Sequence, residues 1–394
     1  MAAYEEKTGG ELLAIAHNGN LGNGTMFPII ESFTGKRVDR EYVVTREKWE
    51  RLYEATQMKG DGETHPFLSP NDEFANFERW DKGNLDLSEK KKPEMLEFEY
   101  VRSAYRNGLK LEKEFGVNPY KFGLVGSTDA HTGLYRRRGQ LLRQDLQLPS
   151  RIAKRAEHPF MTNPKLGLKI MGWETSASGY AAVWAQENTR ESLFDAMKRK
   201  ETYATTGPRM VVRFFGGFDF EAADANNRMP AKSRLHEGRA DGRRPHRRPA
   251  RARRRPSSSP PSRTRSARTS TAIRSSRAGS MRRAKRTRRS MTWPGPATAS
   301  PARTASCLPV GNTVDVPNAT WSNTIGAPEL IAVWKDPDFD PSLRAFYYGR
   351  VIEIPTPRWT AYDAKYFGIT MPKEVTMTTT ERAYTSPIWY TPAK

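Results

Sequence analysis

The stretch Phe122-Gly123-Leu124-Val125-Gly126-Ser127-Thr128-Asp129-Ala130-His131-Thr132-Gly133-Leu134 constrains this chain most. A short apolar run ends in a glycine-flanked turn carrying an Asp and a His two residues apart. Side chains alternate faces along extended backbone, so Asp129 and His131 point the same way in a strand. A carboxylate and an imidazole converging on one point suit a divalent cation. The other reading is structural: Asp129 caps the next turn and His131 packs. An Asp-x-His match alone does not separate the two.

A second stretch has the same design. Leu12-Leu13-Ala14-Ile15-Ala16-His17-Asn18-Gly19-Asn20 is again an apolar run, then a His, then turn residues. Two strands that each end in a potential ligand point to a site at the carboxyl ends of a parallel sheet or barrel, where α/β folds place their chemistry. A third turn, Lys59-Gly60-Asp61-Gly62-Glu63-Thr64-His65-Pro66, is rich in the same residue types. It reads equally as a ligand-bearing loop or as a solvated surface turn.

Between these stretches the periodicity alternates. Residues 11–17 read as a buried strand. Residues 45–53 read as a helix with Thr45 as its N-cap, and 53–58 as a strand. From Glu94 to Phe115, Phe98, Val101, Tyr105 and Leu109 keep helical spacing. Pro93 suits the start of that helix and Gly116 its stop. Thr189 caps a helix whose last turn holds Lys198, Arg199 and Lys200. Met210–Phe215 and Ala345–Pro355 read as strands. Arg136, Arg137, Arg138, Arg143 and Arg151 suit either an anionic substrate or a solvated face.

The net charge of +21 invites a nucleic-acid reading. Its distribution argues against one. Residues 231–306 hold 23 Lys and Arg against Glu237 and Asp241, and the rest of the chain balances at 42 basic and 42 acidic residues. Arg, Pro, Ser and Ala dominate that window, apolar periodicity is absent, and Trp293 is its one aromatic. By composition it is a disordered linker. It is also what GC-rich coding DNA gives when read out of frame. No run approaches the roughly 18 apolar residues of a membrane helix. Residues 1–7 show no export-signal pattern. The single cysteine, Cys307, excludes an internal disulfide.

The strings AHNGN at 16–20, KGDGETHPFLSPNDEFA at 59–75, FGLVGSTDAHTGL at 122–134, GWETSASGYAAVWA at 172–185 and ATTGPRM at 204–210 carry a resemblance. So do VGNTVDV and YYGRVIEIPTPRW toward the end. The chain resembles a bacterial family known as domain of unknown function 3604, itself similar to the PHP (polymerase and histidinol phosphatase) metal-dependent phosphoesterases. That likeness implies an α/β fold: a partial distorted (β/α) barrel over 1–207, then a small β-rich region begun at 208–230 and resumed at 307–394. The segment 231–306 interrupts it, disordered or frameshifted. With permissible codons, Leu235–Pro245 and Ser270–Pro294 shift into family-like sequence, in two different frames.

The resemblance further implies that His17, Asp129 and His131 hold a divalent metal (zinc, manganese or iron). Glu63 and His65 would contact substrate or an additional metal. The substrate would be a small anion, and neither membrane nor nucleic acid is an expected partner. Relatives carry earlier His and Glu ligands and often an export signal. No histidine precedes His17 here, so the chain reads as starting mid-barrel. The expectation is a metal-dependent hydrolase fragment with weak metal binding and little or no turnover. The alternatives are a non-catalytic remnant and a basic nucleic-acid-binding protein acting through 231–306.

Overall fold

The computed structural model describes residues 1–31, 34–129, 153–176, 179–218, 220, 222–226, 310–336 and 338–392. His131, the arginines 136–151 and the segment 231–306 lie outside the described residues.

A short helix α1 (Ala2–Thr8) precedes the first strand, β1 (Ala14–Ala16). Helix α2 (Arg40–Trp49) leads into β2 (Glu50–Gln57), which turns back through β3 (Gly60–Asp61). Helix α3 (Val101–Phe115) then returns the chain to β4 (Gly123–Gly126). β2 pairs parallel with β1, Ala16 facing Tyr53, and parallel with β4, Tyr53 facing Leu124. One residue of β2 cannot pair with two strands on one edge, so β2 is the central strand. Helices connect β1 to β2 and β2 to β4, the arrangement parallel pairing requires.

α2 starts earlier than the sequence suggested. Its N-cap is Asp39, whose carboxylate accepts the Tyr42 N–H at 2.8 Å. Thr45 is an exposed position inside the helix. Asp39→Ala should therefore cost about 1 kcal/mol, while Thr45→Ala should stay within roughly 0.5 kcal/mol of the parent. Urea unfolding of the two variants measures the difference. α3 agrees more closely with its pattern. A 3₁₀ turn over Pro93–Phe98 precedes it, and Gly116 closes it in left-handed backbone at φ 76°.

After an antiparallel hairpin, β5 (Pro159–Asn163) and β6 (Leu168–Met171), comes a second sheet. It takes β7 (Tyr180–Val183) and β8 (Thr202–Thr205) from before the 231–306 segment, with helix α4 (Arg190–Lys198) between them. Thr189 caps α4 through the Ser192 N–H, as expected. Past the segment come β9 (Ala345–Tyr347), β10 (Arg350–Ile352), β11 (Thr356–Pro357), helix α5 (Trp359–Phe367), β12 (Thr378–Thr379), β13 (Arg382–Thr385) and β14 (Ile388–Tyr390). The sheet order is β10-β13-β8-β7, all antiparallel. Strands from both sides of the 231–306 segment thus share one sheet, while β9 pairs with β14 and β11 with β12 wholly after it. Ala345–Pro355 forms two short strands broken at Tyr348-Gly349, and Met210–Phe215 forms none.

The two sheets meet at glycines. A Cβ on Gly126 would lie 2.8 Å from the Thr205 carbonyl, and one on Gly179 2.9 Å from both the Thr205 and Thr56 carbonyls. Only glycine permits that approach, and the Gly179 N–H uses it to donate to the Ser127 carbonyl at 2.7 Å. The core beneath is largely aromatic. Phe27, Tyr53, Tyr120 and Phe122 interlock, and Tyr105 brings in Phe346, Tyr348 and Trp389. The architecture is mixed α/β, and among the described residues its strands do not close into a barrel. No helix among them is long and apolar enough to cross a membrane.

Candidate functional site

Parallel pairing places His17, Lys59 and Asp129 just beyond the carboxyl ends of β1, β2 and β4. His17 follows β1 directly. Its carbonyl accepts from Gln57 Nε2 at 3.0 Å, and its ring is exposed with Nδ1 3.4 Å from the Ile15 carbonyl. Gln57, at the end of β2, also donates to Asn18 Oδ1 at 3.3 Å. Asp129 stands three residues beyond β4 in left-handed backbone, φ 47°. Few residues but glycine adopt that conformation, Asp and Asn among them.

The Asp129 carboxylate is engaged by a cation the sequence reading passed over. Lys59 Nζ forms an ion pair with Asp129 Oδ2, with the two side chains 10% and 16% exposed. Beside them, burial pushes the Glu54 carboxyl up to about 7, against the Ser127 hydrogen bond and the Lys59 charge. His17 and Asp129 are thus two ligand types on the two strands flanking β2, one exposed and one ion-paired. Among the described residues, no three His, Cys, Asp or Glu side chains come together to hold a metal ion. Alone, this pair is one ligand short of the three protein ligands a catalytic zinc takes.

Glu63 and His65 belong to other contacts. Glu63 is buried in a cluster built from distant parts of the chain. Arg102, at the start of α3, donates from Nε to Glu63 Oε1 at 2.9 Å and from Nη1 to Asp72 Oδ2 at 2.6 Å. Tyr348 Oη also donates to Glu63 Oε1. Arg350 Nη2 reaches Asp72 Oδ2 at 2.5 Å, and its Nη1 stands 3.7 Å from Glu63 Oε2. Burial alone would raise the Glu63 carboxyl, but Arg102 and Arg350 prevail and hold it down at about 2. Asp61 is different. Burial first, then the Glu63 charge, pushes it up to about 7, although Tyr384 Oη donates to Oδ2 at 2.7 Å.

Both ring nitrogens of the buried His65 are engaged. Nδ1 accepts the Phe67 N–H at 3.1 Å, which leaves Nε2 to donate to Asp81 Oδ2 at 2.9 Å. That hydrogen bond holds Asp81 below the usual carboxylate range. Of the five residues named from the sequence, then, His17 and Asp129 share the strand ends. Glu63 and His65 enter separate hydrogen-bonded sets, and His131 lies outside the described residues. Lys59, Arg102, Arg350 and Tyr348 were not singled out. Lys59, Tyr348 and Arg350 sit in strings that carry the family resemblance, and that was their signal. Arg102 had none, because its acidic partners lie 30 and 39 positions away.

Helix-linked parallel strands with polar residues gathered at their carboxyl ends define an α/β protein of a kind that commonly carries small-molecule chemistry. Within that class the chain belongs to the family described as protein of unknown function (DUF3604), which matches residues 1–253 and 290–392. The match enters the 231–306 segment from both ends and leaves 254–289 outside. No curated protein and no solved structure matches the chain significantly.

Proposed function

We propose that the chain is a PHP-like metal-dependent hydrolase by ancestry, a phosphoesterase scaffold that is weakly active or inactive as this chain. The partial (β/α) barrel, a divalent metal and a small anionic substrate belong to the same proposal. So does a frameshift within 231–306, which the codons of the gene decide. One observation carries the reading: His17 and Asp129 leave the carboxyl ends of β1 and β4, the two parallel neighbours of β2. Ligand-type residues gather there in α/β enzymes because backbone turns, rather than strands, can be shaped to a substrate.

The residues themselves can do limited work. Asp129 offers a carboxylate neutralised by Lys59, and His17 offers an exposed imidazole. A bound metal would supply an activated water and polarise a phosphoryl oxygen. The Lys59–Asp129 ion pair favours a second reading, a non-catalytic remnant. Turnover of p-nitrophenyl phosphate by the full chain, with zinc, manganese or iron added, separates the two. Weak metal-stimulated turnover that Asp129→Asn and His17→Ala both abolish is expected. Absence of turnover with all three metals would leave the non-catalytic remnant, and turnover indifferent to both substitutions would reject the hydrolase site.

A further inference from the structure

Lys59 holds the middle of the strand-end cluster, two residues beyond the central strand β2. Its backbone is fixed on both sides. The Lys59 N–H donates to Gln57 Oε1 at 3.3 Å, and the Lys59 carbonyl accepts from Asn20 Nδ2 at 3.0 Å. Gln57 in turn binds the backbone at His17. The side chain is therefore delivered from a rigid turn that also sets the His17 backbone. It reaches Asp129, whose φ of 47° is a backbone conformation non-glycine residues hold at some cost. A largely buried carboxylate and a largely buried ammonium meet where the family resemblance expects an exogenous cation.

We infer that Lys59 is an internal counter-ion that fills the cation position of Asp129, so that a divalent metal gains this carboxylate only by displacing the ammonium. The inference rests on the reading of Asp129 as a metal ligand in the proposed function. Its physical content is competition. One carboxylate oxygen cannot serve both cations at full strength. An ammonium left beside a doubly charged ion in a partly buried site is repelled by it. Asp129 is thereby neutralised without metal, and the metal affinity of the chain is set by how readily Lys59 leaves.

Calorimetric titration of the full chain with Mn²⁺ alone tests this. Lys59→Met should bind Mn²⁺ roughly tenfold or more tightly than the parent, because the competing charge is gone. Lys59→Arg, which keeps the charge, should stay near the parent. The gain should vanish in Lys59→Met/Asp129→Asn. Equal affinities for the parent and Lys59→Met, or a gain that survives loss of Asp129, overturns the inference. Should Lys59→Met fail to fold, amine labelling of the parent read by mass spectrometry replaces it. Saturating Mn²⁺ should raise the labelling of Lys59, and unchanged labelling counts against displacement. Phosphate-ester hydrolysis in the same samples keeps the two readings apart. Tighter binding without turnover upholds the counter-ion and leaves the non-catalytic remnant. Turnover in the parent with no gain in Lys59→Met does the reverse.

Discussion

Arg102→Met is expected to cost the fold about 3–5 kcal/mol, the range for breaking a buried ion pair by removing one partner. Arg102 is 5% exposed and serves two carboxylates at once, Glu63 through Nε and Asp72 through Nη1. Methionine fills similar space but leaves both acids buried with less than their share of positive charge. Arg350 still reaches Asp72 at 2.5 Å, but stands 3.7 Å from Glu63. The cost therefore falls mainly on Glu63. Arg102→Lys should recover little of it, because one ammonium cannot replace a planar fork that spans two acceptors. Adding Glu63→Gln to Arg102→Met should recover part of the loss, since the stranded charge is gone, so the two substitutions will not add. Urea unfolding midpoints of the parent, Arg102→Met, Arg102→Lys, Glu63→Gln and the double variant decide the matter. A loss below about 1 kcal/mol for Arg102→Met would mean that the cluster is solvated in solution and does not tie 59–75 to 348–384.

How much of this was legible in the chain depends on the distance over which each residue acts. α3 and α4 follow from spacing and caps that lie within a few residues of each other, and both occur nearly as read. β1 and β4 announce themselves as apolar runs, whereas Glu50–Tyr53, the first half of β2, reads as the end of a helix. Thr45 misled because it stands between the apolar Tyr42, Val43 and Val44 and the charged Arg46, Glu47 and Lys48, a cap-like residue type that the structure places inside α2. The second sheet was not readable at its seam. β8 and β13 pair Ala204 with Tyr384, positions that no local pattern relates. The strand ends were readable as places where chemistry gathers, which is why His17 and Asp129 emerged. The occupant of Asp129 was not. A lysine in a polar turn looks like any solvated lysine until the fold lowers its exposure to 8%. Glu63 and His65 stood out by residue type, but type cannot reveal that arginines from α3 and β10, and a tyrosine between β9 and β10, already claim the carboxylate.

Asp61→Asn should remove a pH-dependent penalty from the folded state. Burial first and the Glu63 charge second raise the Asp61 carboxyl from 3.8 to about 7. The folded chain therefore keeps a proton there that the unfolded chain has lost. Stability is fully present below pH 3.8 and declines as pH rises through about 7. That window is worth on the order of 4 kcal/mol. Glu54, also raised to about 7 by burial, tilts the curve the same way. Glu63, held at about 2 against a usual 4.5, tilts it oppositely, but only as pH falls below 4.5. Between pH 5 and 8 the parent should thus lose stability with rising pH. Asparagine keeps the local geometry, with one oxygen for the Glu63 N–H now at 2.9 Å and one amide nitrogen able to donate to the Tyr384 hydroxyl. The variant should match the parent near pH 4.5, exceed it at pH 8 and show a shallower slope between. Chemical denaturation at several pH values gives all three. A variant that loses the same amount at every pH would show that Asp61 stays ionised in the fold, with the charge of Arg382 outweighing burial.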